Sequence, residues 1–483
     1  MNTPTQGSHA DGFPPDTGGV RHMRRSGTRW ESAISMVARW KWPTVAVSLA
    51  ALTACEQVEQ VQDRFRDMTP HEAYEASLGD AGLVETALGH DWIMAGREAV
   101  ERPALISLPF HEEGFISAED PGAMAYRVTI GRGQRLTAEI TLNSDEQTRV
   151  FVDLFRVPSN EDDPLRPVIS SDSVPSELVV EPWRGGEYVL RLHPELLRGG
   201  TYGVTLRLEA QLAFPVEGYS MRGVQSIFGA ERDGGRRSHA GIDIFARRGT
   251  AVLATSAGLV NRVGSTRLGG KVVWVRDPVR NSNIYFAHLD SQYVHNGQKV
   301  EIGDTLGFVG NTGNARTTPP HLHFGVYRRR EGAVDPYPFL DPPRGTLAAP
   351  TVNLDQLGTW VRLVNDGIRL RAAPGRGGAV IRELDQYTPM RVLGGSGEYF
   401  RVRSPEGMDG YVAARLTEPV NYPLSSQVAA AGGVVLLEPN DDALVMVRLN
   451  AGDSVPVLGR YEGFLYVRAP GGLTGWMDAD EKQ

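Results

Sequence analysis

The sequence predicts a mainly β protein made of several domains, with a short helical segment near the N-terminus. Three observations support this fold class. The 483 residues are enough for about three domains. Short segments in which apolar and polar residues alternate recur between turns, as in half-buried strands. An ungapped repeat near the C-terminus and a slightly raised content of Gly (55) and Pro (31) favour many turns over long helices.

Residues 1–55 are predicted to be a leader that ends in a lipid-attachment signal. Residues 36–52 carry a positively charged stretch and then an apolar run that is too short to span a bilayer. Leu52-Thr53-Ala54-Cys55 follows and resembles a bacterial lipobox, in which the chain is cut before the cysteine and the cysteine is lipidated. The alternative is a cysteine buried after an N-terminal helix. Glu56 resembles the second residue of lipoproteins sent to the outer membrane, so we expect an outer-membrane lipoprotein that faces the periplasm.

Residues 56–101 are predicted to form a helical stalk or a small docking element. They are rich in helix-forming residues, and their apolar residues recur at helical spacing. This segment would separate the leader from the first β domain.

Residues 103–212 are predicted to form a β-sandwich domain. Segments such as AMAYRVTI, QRLTAEITL and TYGVTLRLEA alternate apolar and polar residues, and turns such as GRGQ separate them. His111 and His193 stand alone in this stretch, so we expect surface or structural roles for both. No catalytic cluster is visible here.

Residues 218–342 hold the residues that favour catalysis. His239-Ala-Gly-Ile-Asp243 has an H-x-x-x-D spacing, His288 ends an apolar strand, and His321-Leu-His323 is an H-x-H motif. His295 lies outside these motifs and is interpreted as a surface residue.

This set of residue types is suited to a catalytic zinc ion. Such a site has three nitrogen, sulfur or carboxylate ligands and one open position for water. Because alternate side chains of a strand share a face, His321 and His323 should point into the same cavity, where one can bind metal and the other can reach a substrate. His239 and Asp243 flank a glycine at a bend and can converge on one ion. No glutamate stands nearby as a general base, so a histidine must do that work.

Residues 343–357 form a Pro-rich linker, and an internal repeat follows at residues 358–419 and 423–483. At a constant offset of 65, Val392-Leu393-Gly394 matches Val457-Leu458-Gly459, and Gly410-Tyr411 matches Gly475-Trp476. Each unit resembles a bacterial SH3-like domain, a small β-barrel. The resemblance implies binding to the cell wall, and a purely structural pair is the alternative.

The central motifs resemble the lysostaphin/LytM-type zinc endopeptidases, which hydrolyse peptide bonds in bacterial peptidoglycan. The resemblance is carried by Ser226-Ile-Phe-Gly229, the H-x-x-x-D motif, Tyr285-Phe-Ala-His288-Leu289, Gly307 to Gly313 and Pro320-His-Leu-His-Phe-Gly325. It implies an antiparallel β domain in which His239, Asp243 and His323 bind Zn²⁺. It also implies that His288 and His321 are catalytic, polarising the water and stabilising the tetrahedral intermediate.

These expectations lead to two candidate functions. The first is a zinc-dependent endopeptidase that cleaves peptide cross-links of peptidoglycan for cell-wall remodelling. The second is a non-catalytic peptidoglycan-binding scaffold or an activator of another hydrolase. The complete set of five residues favours the first. Nucleic acid is not an expected partner, because the formal net charge is −8 and nucleic-acid binding needs a basic surface.

Overall fold

The computed structural model describes residues 68–144, 147–160, 162–232 and 234–479. The mainly β fold predicted from the sequence is confirmed for this part of the chain. Two predictions lie outside the described residues. They are the leader at residues 1–55, with its lipid-attachment residue Cys55, and residues 56–67 of the helical stalk.

Two helices precede the β-sandwich and pack against it. They are α1 (Pro70–Asp80) and α2 (Ala87–Glu101). Helix α1 begins with a capping box in which Thr69 and Glu72 satisfy each other's backbone N–H groups. Trp92 of α2 is buried and donates from Nε1 to the carbonyl oxygen of Pro194 at 2.8 Å. Residues 70–101 are therefore docked on the sandwich, and none of the described helices is long and apolar enough to cross a membrane.

The β-sandwich has two sheets around one apolar core. Its strands are β1 (Ala104–Leu105), β2 (Phe110–Ile116), β3 (Met124–Ile130), β4 (Gln134–Asn143), β5 (Val150–Arg156), β6 (Arg166–Ser171), β7 (Ser176–Val180), β8 (Gly186–Pro194) and β9 (Gly200–Ala210). The first sheet has the order β1-β3-β8-β5-β6, and the second contains β2-β9-β4-β7. Fully buried side chains such as Val152, Leu190 and Val204 fill the space between them.

The middle domain is an antiparallel sheet with a smaller sheet beside it. Its elements are β10 (Val224–Ser226), β11 (Glu231–Arg232), β12 (Arg237–Ser238), β13 (Ile242–Phe245), β14 (Ala251–Leu253), β15 (Gly258–Thr266), β16 (Gly270–Asp277), β17 (Ser282–Leu289), β18 (Ser291–Gln292), β19 (Lys299–Val300), β20 (Thr305–Phe308), β21 (His321–Arg328), β22 (Gly332–Val334) and α3 (Tyr337–Leu340). The main sheet has the order β10-β13-β21-β17-β16-β15-β19, the smaller one is β14-β20-β18, and β11 and β12 form a hairpin. Leu322, Phe324 and Phe286 lie in the core on one face of the main sheet.

The C-terminal repeats fold in the same way. The first contains β23 (Trp360–Leu363), β24 (Ile368–Arg371), β25 (Val380–Leu384), β26 (Pro389–Ser396), β27 (Tyr399–Arg403), β28 (Asp409–Ala413) and β29 (Thr417–Pro419), and the second contains β30 (Ser425–Val428), β31 (Val434–Leu436), β32 (Val445–Arg448), β33 (Ser454–Tyr461), β34 (Phe464–Arg468) and β35 (Thr474–Asp478). Strands β26, β27 and β28 match β33, β34 and β35 at the offset of 65 seen in the sequence. The repeats share an apolar core, in which the rings of Trp360 and Tyr466 lie 4.7 Å apart.

The first repeat continues a sheet of the sandwich. Strand β2 pairs with β26, with Glu113 opposite Gly395 and Gly114 opposite Gly394. We call this pairing of β2 with β26 the seam. Beside it lies Glu112, whose side chain is fully buried. Its carboxylate accepts hydrogen bonds from three tyrosines and faces one arginine: Tyr126 (2.6 Å), Tyr202 (2.7 Å), Tyr411 (2.7 Å) and Arg401 (3.5 Å). A continuous sheet and a buried polar cluster therefore fix the first repeat to the sandwich.

The middle domain is fastened to the sandwich by stacked side chains. The guanidinium groups of Arg132 and Arg328 lie 4.7 and 3.3 Å from the centre of the Trp183 ring. Arg280 also donates to Glu181 at 2.7 Å. Arg280 and Arg328 belong to the middle domain, whereas Glu181 and Trp183 belong to the sandwich. Arg132, also of the sandwich, stacks on the same tryptophan.

The predicted linker at residues 343–357 packs on its neighbours and contains one short 3₁₀ helix, Leu354–Gln356. Thr351 N–H donates to the carbonyl oxygen of Gly397 at 2.8 Å. Val352 and Gly345 lie close to the first repeat and to Pro109, respectively. The linker thus runs along the seam between the sandwich and the first repeat.

Candidate metal centre and active site

Neighbouring strands of the middle sheet bring the predicted site residues together. Asp243 on β13 is directly opposite His323 on β21, and His323 is opposite Ala287 on β17. His288 follows Ala287, and His321 lies two residues before His323 on the same face. Leu322 and Phe324 point to the other face, into the apolar core. The structure therefore gathers all five predicted residues at one end of the sheet.

His239, Asp243 and His323 form a compact group of potential metal ligands. His239 Nε2 and His323 Nδ1 lie 3.0 and 2.9 Å from Asp243 Oδ1, and 3.0 Å from each other. These separations suit donors around one ion with bonds of about 2.0–2.2 Å, and two imidazoles with one carboxylate are suitable ligands for zinc. Burial disfavours the Asp243 charge, but the adjacent imidazoles of His239 and His323 hold its pKa well below the ordinary value. The residues present thus fit a zinc ion.

Local hydrogen bonds and a glycine orient the ligands. His239 Nδ1 lies 2.8 Å from the carbonyl oxygen of Ile227. A carbonyl can only accept, so Nδ1 carries the proton and Nε2 presents a lone pair to the group. Gly241 is needed between His239 and Asp243, because a Cβ there would lie 2.4 Å from Phe324 O and 2.9 Å from the His323 ring.

His288 and His321 form a second pair beside the ligands. Their rings lie 5.0 Å apart, and both side chains are buried. His288 Nδ1 is 2.9 Å from Thr312 O, and His321 Nδ1 is 2.9 Å from Pro319 O. Each Nδ1 is therefore protonated, and in the neutral ring Nε2 is left as an acceptor. Burial lowers the pKa of His288 to about 4, helped by His321 and His323, so His288 is neutral near pH 7.

The backbone at His288 is unusual for a residue with a side chain. Its φ is 64°, in the left-handed region. Its N–H donates to the carbonyl oxygen of Gly269 at 2.7 Å, and Gly310 passes so close that a Cβ there would lie 2.8 Å from His288 O. The turn of the chain at this point directs the ring toward His321, and such strain is often found at functional sites.

An aromatic surface extends from the metal ligands across the open face of the sheet. The Tyr285 ring lies 5.8 Å from the His323 ring. Trp274 follows at 4.4 Å from Tyr285, and Tyr327 lies 5.0 Å from Trp274. All three aromatic rings are partly exposed. They form a wall next to the candidate site on which a substrate can rest.

The sequence interpretation missed Arg232, which contacts a candidate ligand. Its Nη2 donates to Asp243 Oδ2 at 2.8 Å and to Ser226 Oγ at 2.5 Å. A signal was available, since the Asp-Gly-Gly sequence at residues 233–235 is of a kind that favours hairpin turns. A hairpin there places Arg232 opposite Arg237, near His239.

The other histidines lie away from the centre. His295 is exposed, and His111 Nδ1 lies 2.8 Å from Thr205 Oγ1. The expectation that His193 stands alone was wrong, because His71 Nε2 lies 3.0 Å from His193 Nδ1. The Trp92 ring stacks on His193 with centroids 4.0 Å apart. Burial lowers the pKa of His71 to about 3 and that of His193 well below its ordinary value, so both are neutral packing residues.

The clustered residues lie in a segment that matches a known protein family. Residues 237–336, which include all five clustered residues, match the family described as Peptidase family M23. The chain contains an M23 peptidase domain of the LytM type. Residues 366–418, in the first repeat, match the bacterial SH3 domain. The predicted resemblance to these two families is confirmed.

Curated relatives of the M23 domain include endopeptidases, one of which is named for peptidoglycan. An L-Ala--D-Glu endopeptidase of Bacillus subtilis is 41% identical over 139 residues, 26% of this chain and 42% of the relative. The uncharacterized lipoprotein YgeR of Escherichia coli is 38% identical over 24% of this chain and 42% of its own. The peptidoglycan DD-endopeptidase ShyC of Vibrio cholerae is 35% identical over 18% of this chain and 20% of its own length. The chain thus spans less than half of the length of these relatives.

Among solved structures, the catalytic domain of lysostaphin from Staphylococcus simulans is similar to the M23 domain. It is 31% identical, and the match covers 24% of this chain and 88% of that domain, with a TM-score of 0.22.

Proposed function

We propose that the protein is a zinc-dependent endopeptidase that hydrolyses peptide cross-links of bacterial peptidoglycan. One observation carries the proposal: the three potential ligands and the two oriented histidines lie in a single cluster of the M23 domain. Amide hydrolysis needs both parts, a metal ion and a group that accepts and returns a proton. The relative named as a peptidoglycan DD-endopeptidase supports the choice of polymer.

The proposed mechanism divides the work between the two groups of residues. His239, Asp243 and His323 would hold the zinc ion, which lowers the pKa of a water molecule and polarises the scissile carbonyl when bound. When neutral, His288 and His321 each present an unprotonated Nε2, because their Nδ1 atoms donate to backbone carbonyls. One of them accepts the proton of the attacking water and passes it to the leaving amine. The other, carrying on Nε2 a proton taken up from solvent before the attack, would donate a hydrogen bond to the developing oxyanion and keep that proton throughout.

The choice of the bond that is cleaved starts from the names of the relatives. The relatives carry names for different bonds, L-Ala–D-Glu in one and a glycyl-glycine bond in another. In a Gram-negative wall, we propose the D-alanyl–diaminopimelate cross-link as the target. The aromatic wall of Trp274, Tyr285 and Tyr327 is the surface against which the flanking peptide would lie.

We also propose how the protein is held at its substrate. A lipid on Cys55 would anchor it to the outer membrane on the periplasmic side, a proposal that rests on the lipobox-like sequence. The SH3-like repeats would add contacts to the wall. Two attached modules raise the effective concentration of the catalytic domain at the polymer without any new catalytic contact.

Removal of the metal is expected to abolish hydrolysis. Purified sacculi would be digested with the protein as isolated, with the protein after dialysis against a chelator, and with the dialysed protein after zinc is restored. Muropeptide chromatography should show loss of cross-linked dimers with the first and third samples only, and the products identify the bond. Cleavage that persists in the dialysed protein would contradict zinc dependence. Bound zinc and firm binding to sacculi without any cleavage would favour a non-catalytic scaffold.

Binding by the repeats can be tested without a deletion. Removing residues 358–483 would uncover the β2 edge and the buried Glu112, so a truncated protein would not report on binding alone. Instead, the full-length His321→Ala variant would be labelled with a carbene reagent, free and bound to sacculi. We expect protection within residues 358–479 as well as around the metal centre. Protection confined to the M23 domain would show that the repeats are structural.

A further inference from the structure

Arg232 contacts the candidate metal centre from outside the ligand group. Asp243 has two carboxylate oxygens in different surroundings. Oδ1 lies 3.0 and 2.9 Å from the nitrogen atoms of His239 and His323. Oδ2 accepts a hydrogen bond from Arg232 Nη2 at 2.8 Å, and the same nitrogen donates to Ser226 Oγ at 2.5 Å.

A small hairpin explains why Arg232 lies there. Strands β11 and β12 pair Arg232 with Arg237 and Glu231 with Ser238. His239 follows Ser238 directly, and its backbone N–H donates to Ala230 O at 2.9 Å. The two strands of one hairpin therefore deliver a ligand and the arginine to the same place. Ser226, at the end of β10, lies on the neighbouring strand and pairs with Asp243.

The carboxylate needs such a partner, because the side chain alone does not fix it. The χ2 torsion of aspartate is broad and roughly two-fold, so the carboxylate group can turn and exchange its two oxygens. The β13 backbone fixes the Cα of Asp243 through its pairing with β21 but does not fix that torsion. A charged donor that is bound to one carboxylate oxygen does fix the torsion.

We propose that Arg232 is a positioning residue that determines which oxygen of Asp243 is offered to the metal. By holding Oδ2, it leaves Oδ1 to face the two imidazoles and keeps Oδ2 away from the position that water must occupy. The inference rests on the proposed function, since it needs a metal at this site. The side chain of Arg232 is 33% exposed, so it reaches the centre from the surface and is not part of the apolar core.

The test replaces Arg232 with methionine, which has a similar shape but no donor. The full chain would be loaded with Co²⁺ in place of zinc, because the visible absorption of Co²⁺ reports the number and arrangement of its ligand atoms. We expect a changed spectrum and a fall in kcat/KM of about 10–100-fold for the zinc form, as for other groups that orient metal ligands. Ser226→Ala, which removes the second partner of Arg232, should give a smaller change in the same direction and serves if Arg232→Met folds poorly. Arg237→Met, opposite Arg232 on the hairpin, is the matched control for loss of charge and should resemble wild type.

The outcomes separate this inference from the proposed function. An unchanged Co²⁺ spectrum in Arg232→Met would overturn the positioning role. An equal loss of activity in Arg237→Met would also overturn it, since the charge of the hairpin would then matter rather than the contact. Failure of the wild-type protein to bind Co²⁺ or zinc would overturn the proposed function, and this inference with it, before any variant is compared.

Discussion

Replacing His321 or His288 with alanine is expected to lower kcat by about 10²–10⁴-fold and to leave the zinc content unchanged, because general acid–base catalysis contributes about that much. Neither Nε2 belongs to the group of three ligands, and each ring is held by its own bond to a backbone carbonyl. Replacing His323 should instead remove both zinc and activity. Zinc per chain, measured by atomic emission, and cleavage of cross-linked muropeptides check the two effects separately.

The controls use a histidine outside the centre. His295 is exposed, so His295→Ala should match wild type in both measurements. The division of roles would be contradicted if His321→Ala and His288→Ala lost as much zinc as His323→Ala. It would also be contradicted if either of them kept full activity.

Much of the candidate site was predictable because its determinants are local. The shared face of His321 and His323 follows from the two-residue period of a strand, and the H-x-x-x-D spacing spans a single bend. The strands of the repeats follow one another at the offset of 65 that the sequence already displays. In each case, the residues that decide the geometry lie within a few positions of one another or recur in order.

Contacts between distant segments were not predictable in this way. Glu112 and Tyr411 are separated by 299 positions, and His71 and His193 by 122. Glutamate is rarely fully buried, and nothing near Glu112 in the sequence indicates that its side chain is. The pairing of β2 with β26 likewise depends on which of several exposed edges meet after folding. Only tertiary packing selects these partners.

The buried charge of Glu112 supports the second large prediction. Glu112→Gln is expected to lower the free energy of unfolding by about 3–5 kcal/mol, the usual effect of breaking a buried ion pair. Burial raises the pKa of Tyr126, Tyr202 and Tyr411, and the Glu112 charge raises it further, so all three phenols stay protonated and donate. An amide has one oxygen to accept with and cannot satisfy three phenols. It also leaves Arg401, itself buried, without the Glu112 charge.

Urea denaturation of the full chain, followed by tryptophan fluorescence, measures this effect. The matched control is Glu113→Gln, the next residue on β2, whose side chain is 45% exposed and whose loss should change stability by less than about 0.5 kcal/mol. Equal midpoints for the two variants would show that the seam does not depend on the buried carboxylate. A selective loss for Glu112→Gln, with the first repeat becoming sensitive to protease, would instead show that this cluster joins the repeat to the sandwich. Since Trp183 and Arg280 tie the sandwich to the M23 domain, the same cluster would then set the distance from the repeats to the catalytic histidines.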